Sequence, residues 1–515
     1  MLKYFANTPP STHLLLLVLI PLLRWPAFLA GFYHADEALS LLVAERAWLE
    51  GPLYVGAWHA GPPLHIWFVE GFYALLGKHA LLALRVFAVL WIYLMAVYLN
   101  GVVGRFKLLK RYEGLPGLML ATLASVPWPG LFFSAELLAM WPALVAYHRL
   151  LNLTETPSRN YGLMFQAGAL LMLAALINYK ALFLLAGALV AYLLLRSARL
   201  DELTAALGGM LVVLLALLGL LYLQGNLRAF EAIGLRYYLQ RLSLTGSSFY
   251  PINTGATLQA LALTWSLPVI LALVGFVHFR LRFFSYVVKI RSLETVMAIW
   301  LVISLVMLVA KWRRLDLSDV HLLLPPVAFY AAHMLALRWP PRLRVLMLSL
   351  GLTGLLLSYL SGWSVRFPQA LSWLPVQARP SWLYGPPTRG QPLPPQLPAQ
   401  LDPARRADGI WIMDHQPHWY TLLDAPVAHR YVDFRLAYYK FPPLPGYQEG
   451  VAQGEAESRL FRAFAQHPPA YILDPHGWFP AMQQRYPSLF ATYRPRSYDG
   501  IVVYSRHGHT ARRDP

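Results

Sequence analysis

Cysteine is absent from the 515 residues. Its absence excludes disulfide bonds, thiolate catalysis and cysteine-ligated metal sites. Charge is also scarce, because only 13% of the residues are charged while 57% are hydrophobic, and the mean hydropathy is +0.45. A water-soluble globular chain carries about 25% charged residues. The composition therefore indicates a protein that is mostly embedded in lipid.

Acidic residues are fewer than basic ones, with 25 Asp and Glu against 43 Lys and Arg. Such an excess can indicate a nucleic-acid partner, but no basic module with interleaved aromatic residues is present. The basic residues instead cluster in short loops between apolar runs. This arrangement is typical of charges that set membrane topology.

Eleven apolar segments approach the roughly 20 residues that a helix needs to cross a hydrocarbon core of about 30 Å. We expect Lys3 and the first apolar run to form an uncleaved anchor and not a removed signal peptide. The predicted spans are 13–32, 80–103, 115–130, 131–150, 161–178, 180–196, 203–223, 257–278, 294–310, 320–337 and 343–360.

Segment 64–77 decides the topology. Its 14 residues would reach only about 21 Å as a helix. If it does not cross, all five basic loops, at 105–111, 149–159, 196–199, 280–291 and 338–344, lie on one side, which the positive-inside rule makes cytoplasmic. We therefore predict a cytoplasmic N-terminus, an extracytoplasmic C-terminus, and 64–77 as a helix along the outer surface.

Three outward regions are large enough to build a site: 33–79, 225–256 and the chain after 361. A proline-rich stretch predicts a semi-rigid linker over 361–403. Strand-like runs at 409–414, 470–474 and 500–506, with helical patterns at 455–466 and 480–490, predict a small α/β domain over 404–515 outside the membrane. Residues 1–360 form the predicted transmembrane domain.

Asp36 and Glu37 open an interfacial helical stretch over 36–49, directly after the first span. Consecutive helical residues diverge by about 100°, so both carboxylates cannot face one cavity. A helix cap with a favourable dipole partner is the structural alternative to a catalytic role. The following loop places Trp58 and His59 near them and contains the turn-forming residues Gly51, Gly56, Gly61, Pro62 and Pro63.

The order of these features resembles the first outer loop of GT-C glycosyltransferases, in particular the bacterial protein O-mannosyltransferases and the lipid A aminoarabinose transferase. The resemblance rests on the Asp-Glu-Ala that starts at Asp36, Leu53-Tyr54, and Pro62-Pro63-Leu64 with Trp67. It extends to the features Arg85, Lys180 in a tight hairpin, the basic segment 311–314 before Leu322–Pro326, and the tail motifs HPPAYILD and YPSLFATY. The resemblance implies a mainly α, polytopic GT-C fold.

It also implies an enzyme that transfers a sugar from a polyprenyl-phosphate donor to an extracytoplasmic lipid, glycan or protein, with inversion. Asp36 matches the catalytic aspartate of the family, and a carboxylate base suits the removal of a hydroxyl proton. The leaving phosphate needs only positive charge. Candidates for it are the cations predicted at the outer face, against the topology rule: Lys180, Arg85, Lys311, Arg313 and Arg314. The alternative is snorkelling to the headgroup level for Lys180, binding to a bilayer phosphate for Arg85, and simple solvation for charges of the segment 311–314.

Glu136 lies near the outer end of the fourth span, where a buried carboxylate is usually functional. We count it and Glu37 with Asp36 as catalytic candidates, although Glu136 could also pair with a basic neighbour or bind a cation. No spacing forms a recognised metal signature. A divalent cation stays an open alternative, with His34, His59 and His65 among the residues that could hold it. In the tail, a polar loop is the simpler interpretation of Asp414, His415 and His418.

The acceptor is predicted to contact the two outer loops through Trp58, His59, His65, Tyr237 and Tyr238, and 225–256 is a predicted mobile gate. We place the enzyme in the bacterial inner membrane. A transporter or flippase is one rival, but it would need paired repeats and charges at mid-depth. A non-enzymatic envelope assembly protein is the other, and it has no need for acids and bases that converge under one loop.

Overall fold

The computed structural model describes residues 8–28, 35–59, 61–106, 114–125, 131–155, 159–196, 199–237, 254–283, 288–310, 317–337, 340, 342, 345–346, 349, 397–413, 419–420, 423–427, 464–475, 477, 479–498 and 501–507. Several sequence predictions lie outside these residues: Lys311, Arg313, Arg314, Tyr238, most of span 343–360, most of the linker 361–403, and the polar group Asp414, His415 and His418. The side chains of Asp36 and Tyr237 also lie outside the description.

The described chain is mainly helical. Its longer helices are α1 (Pro10–Arg24), α2 (Ala35–Glu50), α3 (Pro63–Leu76), α4 (Ala80–Gly104), α5 (Leu115–Leu123), α6 (Ala135–Glu155), α7 (Tyr161–Ile177), α8 (Leu182–Leu195), α9 (Leu200–Leu223), α10 (Thr254–Phe283), α11 (Val288–Ala310) and α12 (Leu324–Ala336). Each of the first ten predicted spans overlaps one of these helices. Within the described residues, three stretches are long and apolar enough to cross a membrane, namely Pro63–Gly104, Leu200–Leu223 and Ile290–Ala310.

Local sequence signals explain where several helices begin and end. The Asn160 side chain caps α7 by accepting a hydrogen bond from the Leu163 amide at 3.0 Å. Pro63 occupies the first turn of α3, where its missing N–H costs nothing. Gly77 ends α3 with φ of 52°, a conformation that glycine adopts easily.

The chain divides into two compact units. The first comprises residues 1–32, 81–220 and 252–386, and in it α6 packs on α7, α8 on α11, and α12 on both α10 and α5. Glycine permits close helix contact there, because a Cβ at Gly168 of α7 would lie 2.0 Å from the Ala206 carbonyl oxygen of α9.

The second unit comprises residues 33–80, 221–251 and 387–515, so it groups the two predicted outer loops with the C-terminal region. Its sheet contains β1 (Ile410–Ile412), β2 (Tyr471–Asp474), β3 (Tyr493–Tyr498) and β4 (Ile501–Arg506) in the order β1-β2-β4-β3. β1 and β2 are parallel, and the other pairs are antiparallel. Helix α2 contacts this region, because Arg46 donates a hydrogen bond to the Val427 carbonyl oxygen.

Candidate functional site

The N-terminus of α6 places a carboxylate inside the first unit. Ser134 caps the helix, and its hydroxyl oxygen accepts a hydrogen bond from the Leu137 amide at 3.1 Å. Glu136 follows in the first turn, where it is buried and where the helix dipole favours a negative charge.

Lys180 meets this carboxylate from the short turn between α7 and α8. Asn178 shapes the turn, since its side-chain oxygen accepts a hydrogen bond from the Lys180 amide at 3.0 Å. The Lys180 Nζ lies 2.5 Å from Glu136 Oε1 and 2.5 Å from Asp319 Oδ1. The Lys180 side chain is 18% exposed, whereas those of Glu136 and Asp319 are 7% and 0% exposed. The structure therefore brings two predicted site residues together as an ion pair between a buried carboxylate and a half-buried lysine.

Asp319 and His321 are not among the residues predicted from the sequence. Both lie on the 3-10 turn Leu317–Leu323, which precedes α12. His321 is fully buried, its Nδ1 is 3.2 Å from the Ser134 hydroxyl oxygen, and its Nε2 has no hydrogen-bond partner among the described residues. The polar group Ser318, Asp319 and His321, immediately before the apolar run that starts at Leu322, is the signal that could have found this turn. We call Glu136, Lys180, Asp319 and His321 the charged cluster.

Two buried arginines contact backbone carbonyls elsewhere in the first unit. Arg85, a predicted phosphate ligand, donates to the Ala27 carbonyl oxygen. Arg24 donates to the carbonyl oxygens of Ala124 and Leu131 at 3.2 and 2.9 Å. The charge of Arg24 also acts on His321, together with those of the rest of the charged cluster. Arg24 therefore adds a cation that the sequence alone does not single out.

In the second unit, Asp36 is the second residue of α2, and Glu37 beside it is 3% exposed. The first turn of this helix thus carries both predicted acids. The role of Asp36 as a base stays a prediction.

The loop after α2 is sharply folded. Gly51 and Tyr54 have φ of 126° and 73°, and a Cβ on Gly56 would lie 2.4 Å from the Gly51 carbonyl oxygen. Since a non-glycine residue in this region is strained, other contacts must hold Tyr54 in place. Its hydroxyl donates to the Gly61 carbonyl oxygen at 2.7 Å, and its amide donates to the Ala57 carbonyl oxygen at 2.8 Å.

The predicted acceptor-binding residues of this loop and of the start of α3 are close to one another in sequence and mostly buried. Trp58 and His65 are 3% and 6% exposed. Burial, with a smaller contribution from His65, lowers the pKa of His59 to about 3. His59 is therefore neutral at physiological pH and can donate one hydrogen bond and accept another.

The second outer loop contacts the first. The Asn226 side-chain nitrogen donates to the Leu53 carbonyl oxygen at 3.0 Å, and the rings of Tyr54 and Phe230 lie 5.5 Å apart. Phe230–Tyr237 is a π-helix, a conformation frequent at functional sites. Tyr237 ends it.

Within the described residues, no group of three His, Asp or Glu side chains could hold a metal ion. Lys180 occupies the position between the two carboxylates of the charged cluster, and its ammonium supplies the positive charge there. Chemically, the two carboxylates of the charged cluster can orient the Lys180 ammonium. Together with the His321 imidazole, they can also bind a polar ligand.

No model of a known protein family matches the chain, and no curated protein matches it significantly. Solved structures do match. ArnT from Cupriavidus metallidurans bound to undecaprenyl phosphate has a TM-score of 0.50 at 13% identity, with 96% of each chain covered. The apo form of the same protein has a TM-score of 0.48 at 15% sequence identity, with 96% of this chain and 97% of that chain covered. A third match is the archaeal oligosaccharyltransferase AglB from Archaeoglobus fulgidus in complex with an inhibitory peptide and a dolichol-phosphate. Its TM-score is 0.44 at 13% sequence identity, with 96% of this chain and 74% of that chain covered. The likeness to the first of these shows that the chain shares the fold of that protein, so the GT-C fold that the sequence predicts is confirmed as a fold.

Proposed function

We propose that this chain is a membrane glycosyltransferase that transfers a sugar from a polyprenyl-phosphate donor to an extracytoplasmic acceptor, with inversion at the anomeric carbon. The observation that carries the proposal is the ion pair between Lys180 and the buried Glu136 within a GT-C fold. A charged group inside an apolar helical unit is costly, and it is usually retained for function.

In the proposed reaction, Asp36 accepts the proton of the acceptor hydroxyl while that oxygen forms a bond to the anomeric carbon. The bond between this carbon and the phosphate oxygen breaks, and the electron pair leaves with the phosphate. No proton donor is needed, because a cation stabilises the developing charge. Lys180 is the proposed cation, with Arg85, Lys311 and Arg313 as further candidates.

The two outer loops are the proposed walls of the acceptor site. Their mutual contacts through Asn226 and Tyr54 support a joint role. Trp58 and His65 are proposed to contact the acceptor after the loops open, and the π-helix Phe230–Tyr237 is the proposed moving element. The lipid, glycan or protein nature of the acceptor depends on side chains from both loops.

Replacing the proposed base tests this function. Membranes containing the wild-type chain or Asp36→Asn are incubated with a panel of radiolabelled polyprenyl-phosphate sugars, and label in lipid, glycan and protein fractions is counted. We expect transfer from at least one donor by the wild type and a loss of at least 100-fold in Asp36→Asn, because a positioned base contributes about 10²- to 10⁴-fold.

The matched control is Glu50→Gln, an acid-to-amide change on the same helix at an exposed residue that pairs with Arg46. It should retain transfer within twofold. Full activity in Asp36→Asn contradicts the assigned base, and the absence of transfer from every donor contradicts the reaction type.

A further inference from the structure

We propose that Asp319 is a positioning residue that holds the Lys180 ammonium where it binds the donor phosphate. This inference rests on the proposed function, since it assumes that Lys180 is a phosphate ligand. It adds a residue on a different element, more than a hundred positions away in the chain.

The contacts surround Lys180 from separate elements. Its side chain starts on the turn between α7 and α8, and its Nζ lies 2.5 Å from Glu136 on α6 and 2.5 Å from Asp319 on the Leu317–Leu323 turn. A lysine side chain has four rotatable bonds, and a single ion pair leaves its ammonium able to pivot. Two carboxylates on two elements define one position for it.

The element that carries Asp319 is itself anchored. The indole nitrogen of Trp300 on α11 donates to the Leu322 carbonyl oxygen at 2.7 Å, and the Ser304 hydroxyl donates to the same oxygen at 3.4 Å. The Asp319 side chain is fully buried. It therefore meets Lys180 from a fixed place, as a group that orients a ligand must.

The negative charge of Asp319 allows its two possible effects on phosphate binding to be distinguished, namely holding Lys180 in position and acting directly through its own charge. Asp319 is negative, so by charge alone it weakens the attraction of Lys180 for a phosphate. Removing the charge while keeping the shape should leave phosphate binding unchanged or tighter. Removing the oxygen that contacts the Lys180 ammonium as well should weaken binding, if position is what Asp319 contributes.

A purely structural ion network is the rival explanation, because a buried lysine needs a counter-charge whatever its function. Such a network would lose thermal stability on substitution, but the Kd of the folded protein for the phosphate would stay unchanged. A double-mutant cycle between Asp319 and Lys180 separates these explanations.

The experiment measures the Kd of the full chain in detergent for undecaprenyl phosphate, together with the apparent melting temperature. The variants are Asp319→Ala, Asp319→Asn, Lys180→Gln and the double variant Asp319→Ala with Lys180→Gln, titrated to saturation. Asp201→Ala is the matched control, because Asp201 is also paired with a cation, Arg159 at 2.8 Å, but is not part of the charged cluster.

We expect Asp319→Ala to weaken binding more than fivefold, and Asp319→Asn to bind within fivefold of the wild type or more tightly. In the Lys180→Gln background, Asp319→Ala should add less than a twofold change. Asp201→Ala should leave the Kd unchanged. A loss of less than fivefold in Asp319→Ala, or a full loss that persists without Lys180, overturns the inference.

Two further readouts keep the result decisive. If Asp319→Ala does not fold, Asp319→Glu replaces it, because this variant keeps the charge but displaces the carboxylate. Positioning then predicts weaker binding in Asp319→Glu than in Asp319→Asn, and wild-type binding in Asp319→Glu overturns the proposal.

If the wild type and Lys180→Gln bind equally, the phosphate role of Lys180 in the proposed function fails, and this inference fails with it. If only the Asp319 variants lack an effect, the positioning role alone fails.

Discussion

Lys180 lies between two carboxylates, so its charge is compensated within the protein, whereas a topology argument treats each lysine as an isolated charge. Lys180 stands out in the sequence because it lies where the positive-inside rule discourages a cation, and Glu136 because a carboxylate near a span end is costly. Pairing with a basic neighbour is one of several sequence-based alternatives for Glu136, and the structure supports it. The third member, Asp319, comes from a turn whose position in space no local pattern specifies.

Gly61 offers a test of the first outer loop at the scale of one residue. A Cβ there would lie 2.7 Å from His59 Nε2, which is too close for an unchanged ring position. We expect Gly61→Ala to displace the His59 ring and to lower the stability by about 1 kcal/mol, the lower end of overpacking costs, because the ring is the end of a side chain that can move. The apparent melting temperature of the purified chain measures this.

The same substitution in a His59→Ala background should cost almost nothing, because the clashing atoms are gone. Gly71→Ala is the matched control, since Gly71 lies in α3 and a Cβ added to it would meet nothing within 4 Å; it should stabilise the helix slightly. Equal losses from Gly61→Ala with and without His59 would contradict the proposed contact.

At the scale of elements, apolar length predicts helices well and their contacts poorly. Span 203–223 and helix Leu200–Leu223 nearly coincide, because a continuous apolar run bounded by polar residues has few other structures in lipid. The π-helix Phe230–Tyr237 lies inside a region predicted only as a loop and gate. Phe230 at its start contacts Tyr54, and Asn226 just before it donates to Leu53, both of which lie far away in the sequence.

Asn226 links these two outer loops, so its removal should loosen the first loop specifically. Its side chain is fully buried, and Asn226→Ala leaves the Leu53 carbonyl oxygen without that hydrogen bond, at a cost of about 1–3 kcal/mol. We expect faster amide exchange over residues 51–57, including the Tyr54 amide, measured by hydrogen–deuterium exchange with mass spectrometry.

The control for this prediction is Gln224→Ala. The Gln224 side-chain oxygen accepts a hydrogen bond from the same Asn226 nitrogen at 3.2 Å. This bond does not involve Leu53, so Gln224→Ala leaves the link between the two loops in place. Exchange over 51–57 should then stay at the wild-type rate. An unchanged rate in Asn226→Ala would show that the loops are held together by other contacts.

At the scale of the whole molecule, the grouping of residues into two units is not predictable from composition. The sequence suggests a division at 360 and 403, where hydropathy falls and prolines accumulate. The structure groups 33–80 and 221–251 with the C-terminal region. Contacts such as Arg46 with Val427 create this grouping, and a linear pattern contains no information about them.

The orientation in the membrane depends on whether α3 crosses. Pro63–Gly104 is 42 residues of apolar sequence, which at about 1.5 Å per residue is about twice the thickness of the hydrocarbon core of a bilayer. Gly77, with φ of 52°, divides it into α3 and α4. Since α3 alone has 14 residues, we expect only α4 to cross.

The absence of cysteine makes this expectation directly measurable, because any introduced thiol is the only one in the chain. Val55→Cys and Lys78→Cys flank α3 at exposed positions, and Arg159→Cys lies in a predicted cytoplasmic loop. A membrane-impermeant maleimide added to intact spheroplasts should label the first two and leave the third unlabelled until the membrane is permeabilised. The cysteine-free parent chain gives the background. Labelling of Val55→Cys and Lys78→Cys from opposite sides would mean that α3 spans the membrane, and it would reverse the facing of every basic loop that follows, against the positive-inside rule.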